Sequence, residues 1–191
     1  MKMSKISSAK LLGGIGALLM VIGWVVPLGL IVGLILLFVA VRYIADETKD
    51  NSIFDDYLMH FIFTVIAIVA ISLLLFIAIG GFSFVTAVQS LKSPTAQDIW
   101  ALIEPHLLGI IASLLIGWIF FCIGAWYLRK SYDKVAEHTK VDLFKTSALI
   151  YFIGALTVIV AVGFLIIIIA KIIEIIAYFS LPDNLPEKKE S

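Results

Sequence analysis

Apolar positions dominate this chain in four long runs, and polar residues collect between them. No Asp, Glu, Lys or Arg occurs within 11–41, 57–91, 105–128 or 146–170. A helix needs about 20 apolar residues to cross a hydrocarbon core, so each run is long enough to span at least once. None alternates apolar and polar residues as a barrel strand would. Helices are then the way to satisfy the backbone in lipid.

The first run is too long for one span. As a single helix its 31 residues would reach roughly 46 Å at 1.5 Å per residue. Pro27 lies near its middle, between Gly23 and Gly29, with Trp24 close by. Proline removes an amide donor and clashes with the preceding turn, and Trp favours the membrane interface. The pattern predicts a tight hairpin, with helices over roughly 9–25 and 28–44; one kinked helix is the alternative. The remaining runs predict helices over roughly 53–83, 105–128 and 146–170. Residues 171–181 then form an interfacial extension or a sixth span, and 182–191 a polar tail.

Composition agrees with a membrane solvent. Of 191 residues 62% are apolar and only 15% charged, against about 25% charged in soluble domains. The formal net charge is zero and there is one cysteine, Cys122. This excludes a disulfide scaffold and a basic nucleic-acid-binding domain. The expected fold is all-α, a polytopic helical membrane protein of five or six transmembrane helices.

Charge distribution chooses among topologies, because Lys and Arg of short loops gather on the cytoplasmic side. Four spans divide the basic residues six to seven. Five spans place ten on the side of the N-terminus and three opposite, namely Lys92, Lys188 and Lys189. Six spans, with a second hairpin at Gly163, improve this to twelve against one. The sixth span would, however, bury Lys171 and Glu174 near mid-membrane, at about 2.5–3.5 kcal/mol per unpaired charge. Five spans with a cytoplasmic N-terminus is therefore the expectation, and six the open alternative. Lys2, Lys5 and Lys10 precede an apolar run as in a signal peptide, but no small-residue cleavage site follows; the run reads as an uncleaved span.

The two halves repeat a pattern. Gly33 to Tyr43 matches Gly117 to Tyr127 in spacing, and each is followed by a polar loop and a helix start, Ser52-Ile53-Phe54 or Asp142-Leu143-Phe144. Ser and Asp are good N-caps. Helix–loop–helix thus occurs twice with both loops on one side, which describes a parallel repeat.

The second half carries a family resemblance. Trp126-Tyr127-Leu128-Arg129-Lys130-Ser131-Tyr132-Asp133-Lys134, Ala136-Glu137-His138-Thr139, Leu149-Ile150-Tyr151-Phe152-Ile153-Gly154, Val162-Gly163-Phe164 and the ending Tyr178-Phe179-Ser180-Leu181-Pro182 resemble the mainly archaeal membrane proteins called domain of unknown function 996. Leu12-Gly13-Gly14-Ile15-Gly16 and Tyr43-Ile44-Ala45-Asp46 extend the likeness to the first half. The resemblance implies a multipass membrane protein. It offers no catalytic, cofactor-binding or metal residue.

Intramembrane ionisable residues are functional candidates by default. Lys171 and Glu174, at i, i+3 spacing, could gate an ion path; a snorkelling pair at the membrane edge is the plainer reading. Glu104-Pro105-His106 opens a helix, and His106 could share a metal with His60, although the two are expected at opposite membrane faces. Polar neighbours around a first-turn proline explain that motif without a ligand. Arg129 and Lys130 begin a loop running to Lys145 that could dock anionic headgroups or a cytoplasmic partner, or simply fix orientation. Cys122 has no nearby histidine and reads as a small apolar residue. The loop Asp46 to Asn51 lacks calcium-loop spacing. Ala9, Gly13 and Ala17 share a face, and Gly29 with Gly33 forms a second small-residue pair, suited to close helix packing within the chain or in a dimer. Trp100, Trp126 and Tyr127 are placed for an aromatic belt, whereas Trp118 is not.

The expected function is that of a non-enzymatic accessory subunit or scaffold in the cell membrane, without cofactor or metal. Its partners would be the lipid bilayer and other membrane proteins or a homo-oligomer, with no nucleic acid. The alternative is a small transporter or channel. The repeat motivates it, with Ser72, Ser113, Thr157 and Tyr151 as the polar groups that could line a path.

Overall fold

The computed structural model describes residues 4–23, 27–90 and 95–186. Helices α1 (Lys5–Ile22), α2 (Pro27–Thr48), α3 (Ser52–Ala78), α4 (Phe82–Ser90) and α5 (Ala96–Ile103) come first. A 3₁₀ turn at Glu104–His106 leads to α6 (Leu107–Thr139). Next come α7 (Leu143–Thr157), a second 3₁₀ turn at Val158–Val160 and α8 (Val162–Phe179). No strand occurs among the described residues. Among the described residues six helical segments are long and apolar enough to cross a bilayer: α1, Leu28–Thr48, α3, Ala96–Thr139, Leu143–Val160 and α8.

Residues up to 61 and from 122 onward form one compact body, and residues 62–121 another. In the first body α1 and α2 form the expected hairpin. Ser4 caps α1 by accepting the Ser7 amide at 3.1 Å, and the Gly23 amide closes its last turn on the Leu19 carbonyl. Proline suits the first helical position, where its missing amide costs nothing, and Pro27 opens α2 there. Trp24 lies outside the described residues. The two backbones meet at glycines: a Cβ on Gly16 would come within 2.9 Å of the Gly33 carbonyl oxygen, and one on Gly33 within 2.7 Å of that of Gly16. Ala9 and Ala17 are fully buried, Gly13 lies under the Tyr178 ring and Gly14 under Phe179. The small-residue stripe is thus used inside the chain, where it lets α2 and α8 approach α1.

The helix expected over 146–170 is instead two. α7 ends at Thr157, and Ala161 takes a left-handed φ of 63° before α8 begins. Two local causes coincide. Thr157, Val158, Ile159, Val160 and Val162 form a β-branched run, which lowers helix propensity. Gly154 and Gly163 then let the reversed chain lie directly on α7. The separate helix of the six-span alternative is formed, α8 being long and apolar enough to cross by itself, and residues 171–179 are its continuous end rather than a separate extension.

Two further boundaries differ from expectation. The helix expected over 53–83 stops at Ala78, because Gly80 and Gly81 take φ of 78° and 58° before α4 starts. The helix expected to end at 128 runs on to Thr139, so Arg129 opens about three more helical turns rather than a loop.

The two turns that follow the matched helices share local features. Lys49 and Lys140 both have left-handed φ, 57° and 59°. Each follows a threonine whose hydroxyl donates back into its own helix, Thr48 to Ile44 at 2.8 Å and Thr139 to Val135 at 2.7 Å. Gly33 and Gly117 are 84 positions apart, whereas Lys49 and Lys140 are 91 apart. The seven extra residues lengthen α6 by two turns, about 10 Å. The candidate site is built on those turns.

In the second body the ends of α3 and α6 meet, with Gly109 against Ala78. Phe63 stacks on Phe120, with ring centroids 6.3 Å apart.

Candidate functional site

Helix α8 carries Lys171, Glu174 and Tyr178 at i, i+3 and i+7, a single polar-headed stripe on an otherwise apolar helix. Such spacing places side chains one above another on the same face. The stripe faces inward. Glu174 is 3% exposed. Its Oε2 accepts from Lys171 Nζ at 2.6 Å, and its Oε1 accepts from the Tyr132 hydroxyl at 2.5 Å. Tyr132 and Tyr178 oxygens lie 3.1 Å apart, so the two hydroxyls share a hydrogen bond. Phe144 of α7 closes the group, its ring edge-on to Tyr132 at 5.3 Å and to Tyr178 at 5.0 Å.

Aromatic residues extend this group along α3. Tyr57 lies parallel to Tyr132 at 6.3 Å, and His60 lies 5.9 Å from both Tyr57 and Tyr151. His60 Nδ1 is 2.9 Å from the Gly124 carbonyl oxygen. A carbonyl only accepts, so Nδ1 carries the proton. Lys171 Nζ sits 5.1 Å from the Tyr151 ring centre, where a cation is attracted to the π face. Two charges, four tyrosines and a histidine are gathered by α3, α6, α7 and α8.

A second polar layer surrounds the helix ends. Lys134 Nζ reaches Asp56 Oδ2 at 2.6 Å and the Ser52 hydroxyl at 2.7 Å, and Ser131 donates to the Ile53 carbonyl at 2.8 Å. These bonds explain why α6 continues as a helix past Leu128, since its extra turns bind the first turns of α3. Asp50 accepts from the Ser52 hydroxyl at 2.6 Å and the Ser52 amide at 3.0 Å, and faces His138 Nε2 at 3.2 Å. The Ser52 hydroxyl, helped by His138, holds the Asp50 carboxyl below the ordinary aspartate range against a smaller opposing effect of burial. Ser4 and Lys10 meet Asp183, and Lys5 meets Asp46 at 3.3 Å. The start of α1, the α2–α3 and α6–α7 turns and the end of α8 therefore lie at one end of this body.

The candidates read from sequence separate here. Lys171 and Glu174 form the centre of the cluster, with side chains 17% and 4% exposed; they are enclosed by protein. Glu174 is five residues from the end of α8, about 7 Å along its axis, whereas Lys171 lies at the middle of that helix. Arg129 faces Asp133 at 3.8 Å and lies over the Trp126 ring, and Lys130 faces Asp56 at 3.6 Å beside the Tyr127 ring. With these partners the basic turns bind the chain's own carboxylates. Glu104 is exposed and His106 half-buried in the 3₁₀ turn of the second body, while His60 belongs to the first. Cys122 is half-buried with its sulfur 3.6 Å from the Ala155 carbonyl. Ser113 and Thr157 donate to Gly109 and Ile153 of their own helices, and Ser72 lies on an apolar surface beside Val69 and Phe76. A cleft of about 250 Å³ at the α6–α7 turn is lined by Asp133, Glu137, Asp142, Lys140 and Lys145. Its acids and bases alternate, and among the described residues no group of His, Cys, Asp and Glu is placed to hold a metal.

Tyr132, Tyr178, Tyr57 and Asp56 were not legible as site residues. The signal for Tyr178 was present, as the third member of the Lys171/Glu174 stripe. For Tyr132 there was none, because its partner is 42 residues away.

The matching stretch against known families is long. Residues 29–172 match the family described as protein of unknown function (DUF996), a range that holds α2 through Lys171 and so most of the cluster. The chain belongs to this family. It is also similar to the uncharacterized protein MJ1644 of the archaeon Methanocaldococcus jannaschii, with 35% identity over 182 residues, covering 95% of this chain and 96% of that protein. No solved structure matches. Membership agrees with the resemblance of the Arg129-Lys130-Ser131-Tyr132 stretch, and the structure adds what that stretch does: within this family member it binds α6 to α3 and α8.

Proposed function

We propose that this chain is an integral protein of the cell membrane, with its Ser4 and Asp183 ends in the cytoplasm. In this reading it acts as a non-enzymatic helical scaffold or accessory subunit. The membrane reading is supported by the apolar exterior: Leu108 is 84% exposed, Leu28 72%, Val160 67% and Ile77 63%. Apolar exposure of this extent is unusual on a soluble monomer and ordinary against lipid. Orientation follows from charge. Six spans put twelve basic residues on the side of Ser4 and only Lys92, which lies outside the described residues, on the other, and the positive side is cytoplasmic.

The observation that carries the scaffold role is the closure of the Lys171–Glu174–Tyr132–Tyr178 cluster. A transport path or a catalytic centre needs polar groups with valences open to a substrate; here the intrahelical charges and hydroxyls are spent on one another. Partners are the bilayer and another membrane protein or a second copy. Nucleic acid is not among them, since the net charge is zero and Arg129, Lys130 and Lys134 are paired with acids.

Two measurements test this. With Cys122 replaced by serine, a cysteine introduced at exposed Gln97 should react with an impermeant thiol reagent in intact cells, and one at exposed Lys140 only after permeabilisation; the reverse pattern overturns the orientation. Extraction from native membranes in mild detergent, read by mass spectrometry, should return a stoichiometric membrane partner or a homo-oligomer. A solitary monomer that conducts ions or solutes in liposomes overturns the scaffold reading.

A further inference from the structure

The helical stretch Ala96–Thr139 is 44 residues long, about 66 Å at 1.5 Å per residue, more than twice a hydrocarbon core. One end is held by Lys130 and Lys134, which pair with Asp56. Counting about 20 residues from Lys130 places the opposite hydrocarbon boundary near Ile110. The neighbouring span agrees within the second body, where α3 ends at Ala78 against Gly109. The Glu104–His106 turn then falls at headgroup depth, and α5 stands beyond the hydrocarbon.

Helix α5 nevertheless has an apolar face. Ile99, Trp100 and Ile103, with Ala96, occupy one arc of about 100°, while Gln97 and Asp98 lie outside it. None of its residues is buried and Trp100 is 54% exposed. The helix is well formed on its own account: the Thr95 hydroxyl accepts the Asp98 amide at 3.3 Å and the Asp98 carboxylate accepts the Thr95 amide at 2.9 Å, a reciprocal cap. Pro105 lacks the amide that would continue the ladder, and the chain passes through a 3₁₀ turn there. Such a joint is where helices bend.

Resting on the membrane reading above, we propose that α5 is an interfacial helix. Its Ile99–Trp100–Ile103 face is seated in the acyl–headgroup boundary of the leaflet opposite the cytoplasm. Its place along the chain commits it to lipid: the face begins within about two turns of the hydrocarbon boundary counted above, and Trp and Ile suit that depth. The charged residues described on this segment, Asp98 and Glu104, are acidic. The lipid surface it fits is therefore recognised by apolar insertion, without anionic headgroups.

The test uses the full chain in phosphatidylcholine vesicles, keeping either Trp100 or Trp118 as the sole tryptophan and replacing the others by phenylalanine. Trp100 should lose most of its emission to lipid brominated near the glycerol end and little to acrylamide. It should show no change when half the lipid is phosphatidylglycerol. Trp118, within α6, reports incorporation through quenching by lipid brominated deeper in the chain. Quenching of Trp118 with Trp100 open to acrylamide, or shielded from both quenchers, overturns the interfacial helix and leaves the membrane reading standing. Absence of lipid quenching at both overturns both. If the tryptophan variants fail to fold, nitroxides on Ile103→Cys and Gln97→Cys in a Cys122→Ala background give the same contrast. Oxygen access should exceed that of a water-soluble relaxant at residue 103 and fall below it at residue 97; equal access at the two positions overturns the proposal.

Discussion

Replacing Glu174 by leucine lowers stability by about 3–5 kcal/mol, while replacing Lys171 and Glu174 together costs much less. The asymmetry comes from what each change leaves behind. In Glu174→Leu the Lys171 ammonium, only 17% exposed, keeps the Tyr151 ring but loses its counter-ion. In the double variant no charge is left, and the Tyr132 hydroxyl still has the Tyr178 oxygen at 3.1 Å. Unfolding of the four proteins of the cycle in mild detergent measures the coupling. Additive losses would show that the pair does not hold α8 as described. The double variant should also insert normally and keep its partner stoichiometry, because a scaffold uses the shape that the pair stabilises rather than its charge.

Gly163→Ala is expected to lose about 3 kcal/mol, the upper end of what overpacking costs. A Cβ at this position would fall on the Val158 amide nitrogen and the Gly154 carbonyl oxygen. Both are backbone atoms that cannot rotate away, so α7 and α8 must part. Gly80→Ala is the control: it meets nothing within 4 Å and has only its φ of 78° to oppose it, about 1–2 kcal/mol. Melting of both variants in one detergent ranks them. An equal loss would mean that the α7–α8 contact is looser than the glycine spacing implies.

The α1–α2 hairpin was legible because its signals are local. Pro27 near the middle of an overlong run forces a new helix start wherever it is found, and Gly16 and Gly33 advertise close approach. The α7–α8 reversal was half legible. Gly163 and the β-branched run from Thr157 point to it, but the charges at Lys171 and Glu174 argue against a span when they are counted as unpaired. That count failed because the cost of a buried charge depends on its partners, and Tyr132 comes from another helix. The site was legible only in part for the same reason: Lys171 and Glu174 stand out from apolar neighbours, whereas Tyr132, Ser131 and Lys134 look like an ordinary polar loop.

By itself the sequence determined the all-helical class, the apolar segments and the family. Each is a sum over neighbouring residues, of transfer free energy, charge or residue identity, and needs no knowledge of distant contacts. Tertiary structure alone decided that α6 runs three turns past its apolar stretch, that Lys130 answers Asp56, and that Glu174 is enclosed. Those outcomes depend on pairing across 42 to 82 positions of sequence. A hydrogen bond or ion pair stabilises a buried group only when geometry brings its partner to within about 3 Å.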